Sequence, residues 1–218
     1  FPFDGTRLPK NGGALLSLDK LNDVSQNYLG NLSVHQLYEE VTRWADQFDP
    51  EFKTILAKDQ DYTISVLSIE RDKEGARKDL VVLSQAREIY SFFFDELFTT
   101  NAAELLSGEY LQSFDHSDLD RVIHDFMATY SELDTQEEWF NKIRSIGESL
   151  GYTPNMKDYR KNPDAYKGSV ADIAMVLRVA LTGRNRSPSL YEIMQIMGRE
   201  RVFSRLNNLT QELRNQSR

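Results

Sequence analysis

The sequence predicts an all-α fold, because apolar side chains recur at helical spacing along most of its 218 residues and alternating strand patterns are nearly absent. It also contains three capping boxes, in which a Ser or Thr is followed three residues later by an acidic or amide side chain. These boxes begin at Ser33, Thr135 and Ser169. With short connections between the segments, the pattern favours an all-α bundle, and the length allows one or two domains or two small helical lobes.

The first half of the chain contains two strongly periodic segments. The box at Ser33 precedes an apolar stripe made of Leu37, Val41, Trp44, Ala45 and Phe48. A second helix is predicted over about Leu80 to Phe98, and its run of three phenylalanines, 92–94, indicates burial between helices. Shorter helices are predicted around Ala102 to Leu106 and Asp118 to Tyr130.

Glycines mark the helix ends in the second half. The helix after Thr135 is predicted to end at Gly151, and the helix after Ser169 at Gly183. Between them, residues 151–168 form a polar connector that we expect to be irregular. The next helix is predicted to have Ser187 as N-cap and Pro188 as its first residue, and to end at Gly198. A last helix carries the apolar residues Val202, Leu206, Leu209 and Leu213.

The sequence offers little for catalysis. There is no Cys, so no disulfide scaffold and no cysteine nucleophile or zinc site is expected. Asn11-Gly12-Gly13 lacks the spacing of a phosphate-binding loop and is interpreted as a turn. His116, Asp120 and His124 share a helix face but extend over two turns, too far for one small ion. The apolar runs are shorter than the roughly 20 residues of a membrane span, so a soluble chain without a membrane partner is predicted.

Charge is distributed unevenly along the chain. The net charge is −8, which taken alone argues against a nucleic-acid partner. Residues 61–136 carry 6 basic and 16 acidic side chains, whereas residues 151–218 carry 12 basic and 6 acidic ones. The basic excess of +6 at the end of the chain indicates a nucleic-acid surface, although two solvated faces of opposite sign would give the same pattern.

Aromatic and basic residues alternate in the connector. Tyr152, Tyr159 and Tyr166 recur every seven residues among four basic side chains, which are Lys157, Arg160, Lys161 and Lys167. Tyrosine rings can stack on unpaired bases while cations follow the phosphates, and packing of the rings against the protein body is the alternative. Arg178 lies beside the apolar face of its helix, and the loop that includes Arg186 leads to a helix N-terminus suited to a phosphate.

The residues that follow the connector carry a family resemblance. The run YKGSVADIAMVLRVALTGRNRSPSLYEIMQIMGRERVFSRL, residues 166–206, closely resembles the C-terminal anticodon-binding region of bacterial-type glutamyl-tRNA synthetases. Residues 18–41 are similar to the family's helix pair that contacts the tRNA stem, with Lys20, Leu21 and Tyr28 at the matching positions, although Asp23 departs from the usual aromatic residue. Residues 69–94 resemble the first helix of the anticodon-binding lobe.

The resemblance implies an organisation and a set of RNA-binding residues. Residues 1–60 are expected to be a linker with the stem-contact segment, residues 61–134 the first anticodon-binding lobe, and residues 135–218 the second, basic lobe. Contacts to the anticodon are implied for Arg178, Pro188, Leu190 and Tyr191, with Lys167, Arg184, Arg186 and Ser187 beside them. The family's reader of the third anticodon base, which helps to separate tRNA-Glu from tRNA-Gln, falls among Arg77, Lys78 and Asp79.

The resemblance also implies what the chain lacks. In the family a catalytic domain with a His-x-Gly-His signature precedes the matched region, and that signature is absent here. We therefore expect a fragment that is inactive alone and binds no cofactor, whereas the intact cytoplasmic enzyme uses ATP and Mg²⁺ to charge tRNA-Glu with glutamate. The implied partners are tRNA-Glu and the catalytic domain in cis, with the chain as a monomer. The alternative is a stand-alone, non-catalytic paralogue that acts as a tRNA- or protein-binding helical module.

Overall fold

The computed structural model describes residues 17–71 and 79–216. Within these residues the chain forms eleven α-helices and three short 3₁₀ turns, which confirms the all-α prediction. The helices are α1 Leu18–Asn31, α2 Val34–Phe48, α3 Pro50–Lys58, α4 Gln60–Ser68, α5 Ala86–Tyr90, α6 Ala102–Ser107, α7 His116–Thr129, α8 Gln136–Leu150, α9 Met156–Lys161, α10 Val170–Thr182 and α11 Leu190–Gln216. The 3₁₀ turns are Leu83–Gln85, Ser91–Phe93 and Pro163–Ala165.

All three predicted capping boxes begin helices. Ser33 donates its N–H to Gln36 Oε1 at 2.9 Å at the start of α2, and Thr135 donates to Glu138 Oε2 at 2.8 Å at the start of α8. At the start of α10, the Asp172 carboxylate accepts from the Ser169 N–H at 2.7 Å. Each box supplies partners for backbone N–H groups that have none within the helix.

The predicted glycine stops are confirmed by their backbone angles. Gly151 and Gly183 follow α8 and α10 with φ of 89° and 68°, the left-handed region that glycine adopts without steric cost. Gly198 has φ 74° and ψ 162° and interrupts α11, so that the helix continues in a new direction on its other side. The interruption separates the segment 190–197 from the last apolar stripe of the chain.

The predicted helix over Leu80 to Phe98 is wrong, because the structure divides it. The segment contains two 3₁₀ turns around the five-residue α5 and becomes extended at Phe94, with φ −106° and ψ 125°. Phe92, Phe93 and Phe94 are all buried, at 2%, 0% and 5% exposure. A regular helix turns successive side chains by 100°, so three neighbouring side chains point in three different directions. All three can be buried in such a helix only if other elements cover it on every side.

The helices of the second half share one continuous core. Helix α10 packs between α8 and α11, and α7 packs against α8 and α11. Helices α3 and α4, which the sequence analysis did not predict, pack with α2, and each has an aspartate cap: Asp49 accepts from the Phe52 N–H and Asp59 from the Tyr62 N–H. None of the helices in the described ranges is long and apolar enough to span a bilayer.

The connector 151–168 is more regular than expected. It contains α9, a 3₁₀ turn and a parallel bridge between Thr153 and Ser169. Tyr152 at its start is buried at 6% exposure and its ring stacks on Phe114 with centroids 6.3 Å apart, whereas Tyr166 is 39% exposed. Of the three periodic tyrosines, the first therefore belongs to the core.

Buried tyrosines make the fold sensitive to alkaline pH. Burial raises the pKa of Tyr62, Tyr90, Tyr130 and Tyr152 to about 12 each. Since unfolded tyrosine has a pKa of about 10, their neutral forms contribute stability that is fully present below pH 10 and is lost as the pH rises towards 12. We expect the free energy of unfolding, measured by urea titration, to fall over this interval and to fall less in Tyr90→Phe. A free energy that stays constant to pH 12 would contradict this expectation.

Candidate nucleic-acid interface

The loop between α10 and α11, residues 184–189, is held to the rest of the molecule at several points. Arg184 donates to the Ile89 carbonyl at 3.2 Å, to the Glu88 carbonyl and to Ser91 Oγ at 3.0 Å. Its guanidinium also lies 5.2 Å from the centre of the Phe92 ring, and burial lowers its pKa. Arg184 thus provides donors for the last carbonyls of α5 and ties the loop to that helix.

Arg178 holds the middle of the same loop. From α10, its Nη1 donates to the Ser187 hydroxyl, to the Ser187 carbonyl at 3.3 Å and to the Pro188 carbonyl at 3.0 Å. The Ser187 hydroxyl in turn donates to the Pro188 carbonyl at 3.0 Å. The planar guanidinium therefore fixes two consecutive residues of the loop from one side.

The predicted start of the next helix is wrong by two residues. Helix α11 begins at Leu190, and the Ser189 carbonyl accepts the first helical hydrogen bond from the Ile193 N–H at 2.9 Å. Ser187 cannot act as the N-cap, because Arg178 binds both its hydroxyl and its carbonyl. The extra residues extend the loop rather than the helix.

A carboxylate lies where the sequence suggested a phosphate. Glu70 Oε1 accepts from the Ser189 N–H at 2.7 Å, at the amino end of α11. Glu70 has φ 55°, a left-handed conformation that costs a non-glycine residue about 1 kcal/mol and that is retained where the surrounding structure requires it. The helix end is therefore already bound by an anionic side chain of the protein itself.

Arg186 is the residue of the loop that faces solvent. It is exposed, and its side chain has no hydrogen bond or ion pair within residues 17–71 and 79–216. Its neighbour Asn185 donates to the Tyr110 hydroxyl, so the residues on both sides of Arg186 are fixed. An unpaired guanidinium on a fixed loop can bind a phosphate or a base edge without first losing a partner within the protein.

Leu190 and Tyr191 have mainly packing contacts. Leu190 is 3% exposed and belongs to the core. Tyr191 is half-buried, donates its hydroxyl to the Asp134 carbonyl at 2.8 Å and lies 5.8 Å from Trp139 between ring centroids. Of the two, Tyr191 keeps part of its ring surface accessible.

Lys167 lies at the other end of α10 from the loop. Its Nζ is 2.9 and 2.7 Å from the two carboxylate oxygens of Asp118, which is buried at 6% exposure. Tyr152 donates its hydroxyl to the same carboxylate at 3.4 Å. Lys167 consequently ties the connector to α7, while about half of its side chain, 53%, stays exposed.

Much of the basic excess of residues 151–218 is used inside the fold. Arg199 donates to the Tyr130 carbonyl at 3.0 Å, Arg201 pairs with Asp95 at 2.9 Å, and Arg205 is 6% exposed. The basic side chains that are exposed and unpaired within the described ranges include Arg186 and three residues of α9, which are Lys157, Arg160 and Lys161. The net charge of a segment therefore overstates the cationic surface that it presents.

The expectations for the third-base reader and for a metal site concern residues outside this interface. Arg77 and Lys78 lie outside the described residues. Among the residues that are described, no group of three or more His, Asp or Glu side chains is placed to hold a metal ion.

Sequence reasoning missed two residues that shape the loop. Glu70 and Tyr110 lie 119 and 75 positions from the loop residues that they bind, so no local pattern connects them. It also missed α9 as a helix, for which Asn155 was an available signal, because its side chain accepts from the Lys157 N–H at 2.9 Å.

A family model connects this region to a known type of domain. Residues 164–210 match the model described as "Anticodon binding domain". The match includes α10, the loop 184–189 and most of α11, and it begins after α9. The loop that the structure holds so closely is thus part of the matched region.

Curated relatives match almost the whole chain. A glutamate–tRNA ligase of Acetivibrio thermocellus is 40% identical over 96% of this chain and 37% of its own length. Those of Clostridium beijerinckii and Sorangium cellulosum are 34% and 33% identical, each over 89% of this chain and 35% and 34% of their own lengths. The chain therefore spans little more than a third of the length of the curated relatives it matches.

A solved structure has a similar fold. A glutamate tRNA ligase from Elizabethkingia meningosepticum, in complex with its amino acid, superposes with a TM-score of 0.55 over 93% of this chain and 34% of that one. At 18% identity this likeness concerns the fold. The family model and the curated relatives show that residues 164–210 match an anticodon-binding domain and that the chain is related to about a third of the length of glutamate–tRNA ligases.

Proposed function

We propose that the chain binds the anticodon arm of a tRNA through the loop 184–189. The observation that carries the proposal is the loop itself, which lies inside the matched anticodon-binding region and has Arg186 exposed between fixed neighbours. A fixed loop avoids the entropic cost of ordering when RNA binds, and single-stranded RNA loops are bound by cations and exposed rings. Pro188 and the accessible part of Tyr191 offer such surfaces beside Arg186.

Within the loop, the proposal gives the arginines different roles. Arg186 contacts RNA directly, while Arg178 and Arg184 act as positioning residues, because their guanidinium groups already bind Ser187, Pro188 and the end of α5. A base or phosphate that reached Arg178 would have to share it with the loop. Both roles place these residues in the same RNA-binding site.

The proposal extends to a longer protein of the kind that the curated relatives represent. In it, a catalytic domain in cis uses ATP and Mg²⁺ to join glutamate to tRNA-Glu, while the described residues bind the anticodon arm and perform no chemistry. The division into a stem-contact segment and two anticodon-binding lobes, the monomeric state and the cytoplasmic location belong to the same proposal. Relatives named glutamate–tRNA ligase support it through their similarity over most of this chain.

The function is tested by RNA titration with the 218-residue chain. Fluorescence anisotropy with labelled tRNA-Glu and an unrelated tRNA at about 50 and 200 mM salt should show tighter binding of tRNA-Glu. For about four phosphate contacts, a fourfold rise in salt weakens affinity about 50- to 150-fold, since each contact contributes about 0.7 to 0.9 to the log–log slope. Absent binding, salt-insensitive binding or equal affinity for both tRNAs would contradict the proposal.

A further inference from the structure

The segment 154–166 forms a closed loop on the surface of the protein. Three backbone hydrogen bonds join the residues at its two ends: Lys167 N–H to the Gly151 carbonyl at 3.1 Å, Thr153 N–H to the Gly168 carbonyl at 3.0 Å, and Val170 N–H to the Thr153 carbonyl at 2.8 Å. The Lys167–Asp118 pair anchors the same place to α7. A loop of this size with its ends held together is an Ω-loop, a type that frequently has a function.

Helix α9 gives this loop a cationic side. Lys157, Arg160 and Lys161 occupy positions i, i+3 and i+4, which lie on one face of a helix, and all three are exposed. Tyr159 and Asp158 are half-buried, and Asp158 lies three positions before Lys161, so one carboxylate borders this face. We call the surface formed by Lys157, Arg160 and Lys161 the α9 basic face.

The three cations of the α9 basic face outnumber the carboxylates of the same loop, which are Asp158 and Asp164. None of the three side chains has a hydrogen bond or an ion pair within residues 17–71 and 79–216, unlike Arg199, Arg201 and Arg205. Arg160 and Lys161 lie in the last turn of α9, where cations interact favourably with the helix dipole, and their exposed charge remains accessible to a ligand. Three unpaired cations on one side are suited to a polyanion, and the exposed ring of Tyr166 on the same loop can stack on a base.

The position of α9 sets the distance to the loop 184–189. The parallel bridge between Thr153 and Ser169 places the α9 loop at the amino end of α10, whereas the loop 184–189 follows its carboxyl end. Thirteen helical residues span about 20 Å at 1.5 Å each. At about 3.4 Å per stacked nucleotide, the length of α10 corresponds to about six nucleotides, which is within the length of an anticodon arm.

We infer that the α9 basic face is a second contact surface for the RNA backbone, separate from the loop 184–189. The inference rests on the proposed function, since it concerns the same RNA. It goes beyond it because α9 lies outside the residues that match the anticodon-binding model. The face binds phosphates without reading sequence, so it adds affinity and salt dependence to any tRNA that the loop accepts.

The test compares two variants that lose the same charge. Lys157→Gln/Arg160→Gln/Lys161→Gln removes the α9 basic face, and Lys58→Gln/Arg121→Gln/Arg214→Gln removes three exposed cations elsewhere, two of which form surface ion pairs. Binding of tRNA-Glu is measured by anisotropy over a salt series. Loss of three phosphate contacts should weaken the first variant about tenfold and lower its log–log salt slope by about 2, while the second stays within about twofold of the unaltered chain.

Two further measurements complete the test. Circular dichroism and thermal melting should be unchanged in the first variant, and Lys157→Arg/Lys161→Arg, which keeps the charge, should retain the original affinity. If the two triple variants bind equally while the unaltered chain binds tRNA-Glu well, the α9 inference is overturned and the proposed function stands. If the unaltered chain binds no RNA, the proposed function fails, and the inference fails with it.

Discussion

Replacing Arg205 by alanine is expected to lower the free energy of unfolding by about 3 kcal/mol, because two buried carbonyls lose their donor at about 1–3 kcal/mol each. Arg205 is 6% exposed and donates to the Phe92 carbonyl at 2.6 Å and the Leu181 carbonyl at 2.5 Å. It also pairs with Asp95 at 2.9 Å and lies 4.0 Å from the centre of the Phe98 ring. Urea titration followed by circular dichroism measures the change.

Arg201 supplies the matched control for this substitution. It pairs with the same carboxylate, Asp95, at 2.9 Å, but that carboxylate is 61% exposed and the Arg201 side chain is 26% exposed. Arg201→Ala should therefore cost less than about 1 kcal/mol, as is usual for an accessible ion pair. Arg205→Lys should recover only part of the loss, since one ammonium group cannot reproduce the planar fork. Equal losses for Arg201→Ala and Arg205→Ala would show that the buried carbonyls contribute nothing.

Local signals explain which helices could be predicted. A capping box or a glycine stop acts within about four residues, so Ser33, Thr135 and Gly183 could be recognised without any knowledge of the fold. Where apolar periodicity accompanied such a signal, as in α8 and α10, the structure confirmed the element. Helices α3 and α4 are nine residues each, which is too short for periodicity alone to define them.

Long-range contacts explain what could not be predicted. The phenylalanine run breaks α5 because its members enter different parts of the core, and the broken helix end is then bound by Arg184 from 95 positions away. In the same way, the start of α11 was displaced because Arg178 and Glu70 bind the residues that would have extended it. Each of these outcomes depends on a partner that lies outside any local window.

The basic excess at the end of the chain is also changed by contacts within the fold. The sequence places an excess of +6 in residues 151–218, but Arg178, Arg184 and Arg205 use their guanidinium groups to bind backbone carbonyls. Such arginines stabilise the fold and contribute little accessible donor surface. Among the described residues of this segment, the cations that are both exposed and unpaired are Arg186 in the loop and the three residues of the α9 basic face.

Replacing Arg178 by alanine is expected to weaken tRNA-Glu binding about thirtyfold without altering the salt dependence. The substitution frees Ser187 and Pro188, and ordering two residues on binding costs about 2 kcal/mol, the free energy that corresponds to this factor. The proposal assigns no phosphate contact to Arg178, because its Nη1 already donates to Ser187 and Pro188. The log–log salt slope should therefore remain that of the unaltered chain, and Arg178→Lys should restore part of the affinity, since one nitrogen makes these contacts and an ammonium group has three donors.

Arg186→Ala is the informative comparison within the same loop. Arg186 is exposed and unpaired within the described ranges, so its loss should leave the melting temperature unchanged, weaken binding about tenfold and lower the salt slope by about 0.7 to 0.9. The log–log salt slope, rather than the affinity, therefore distinguishes the role of Arg186 from that of Arg178. A slope lowered by Arg178→Ala to the same extent would mean that its guanidinium leaves Ser187 and Pro188 to contact a phosphate when RNA binds, and the positioning role would have to be abandoned.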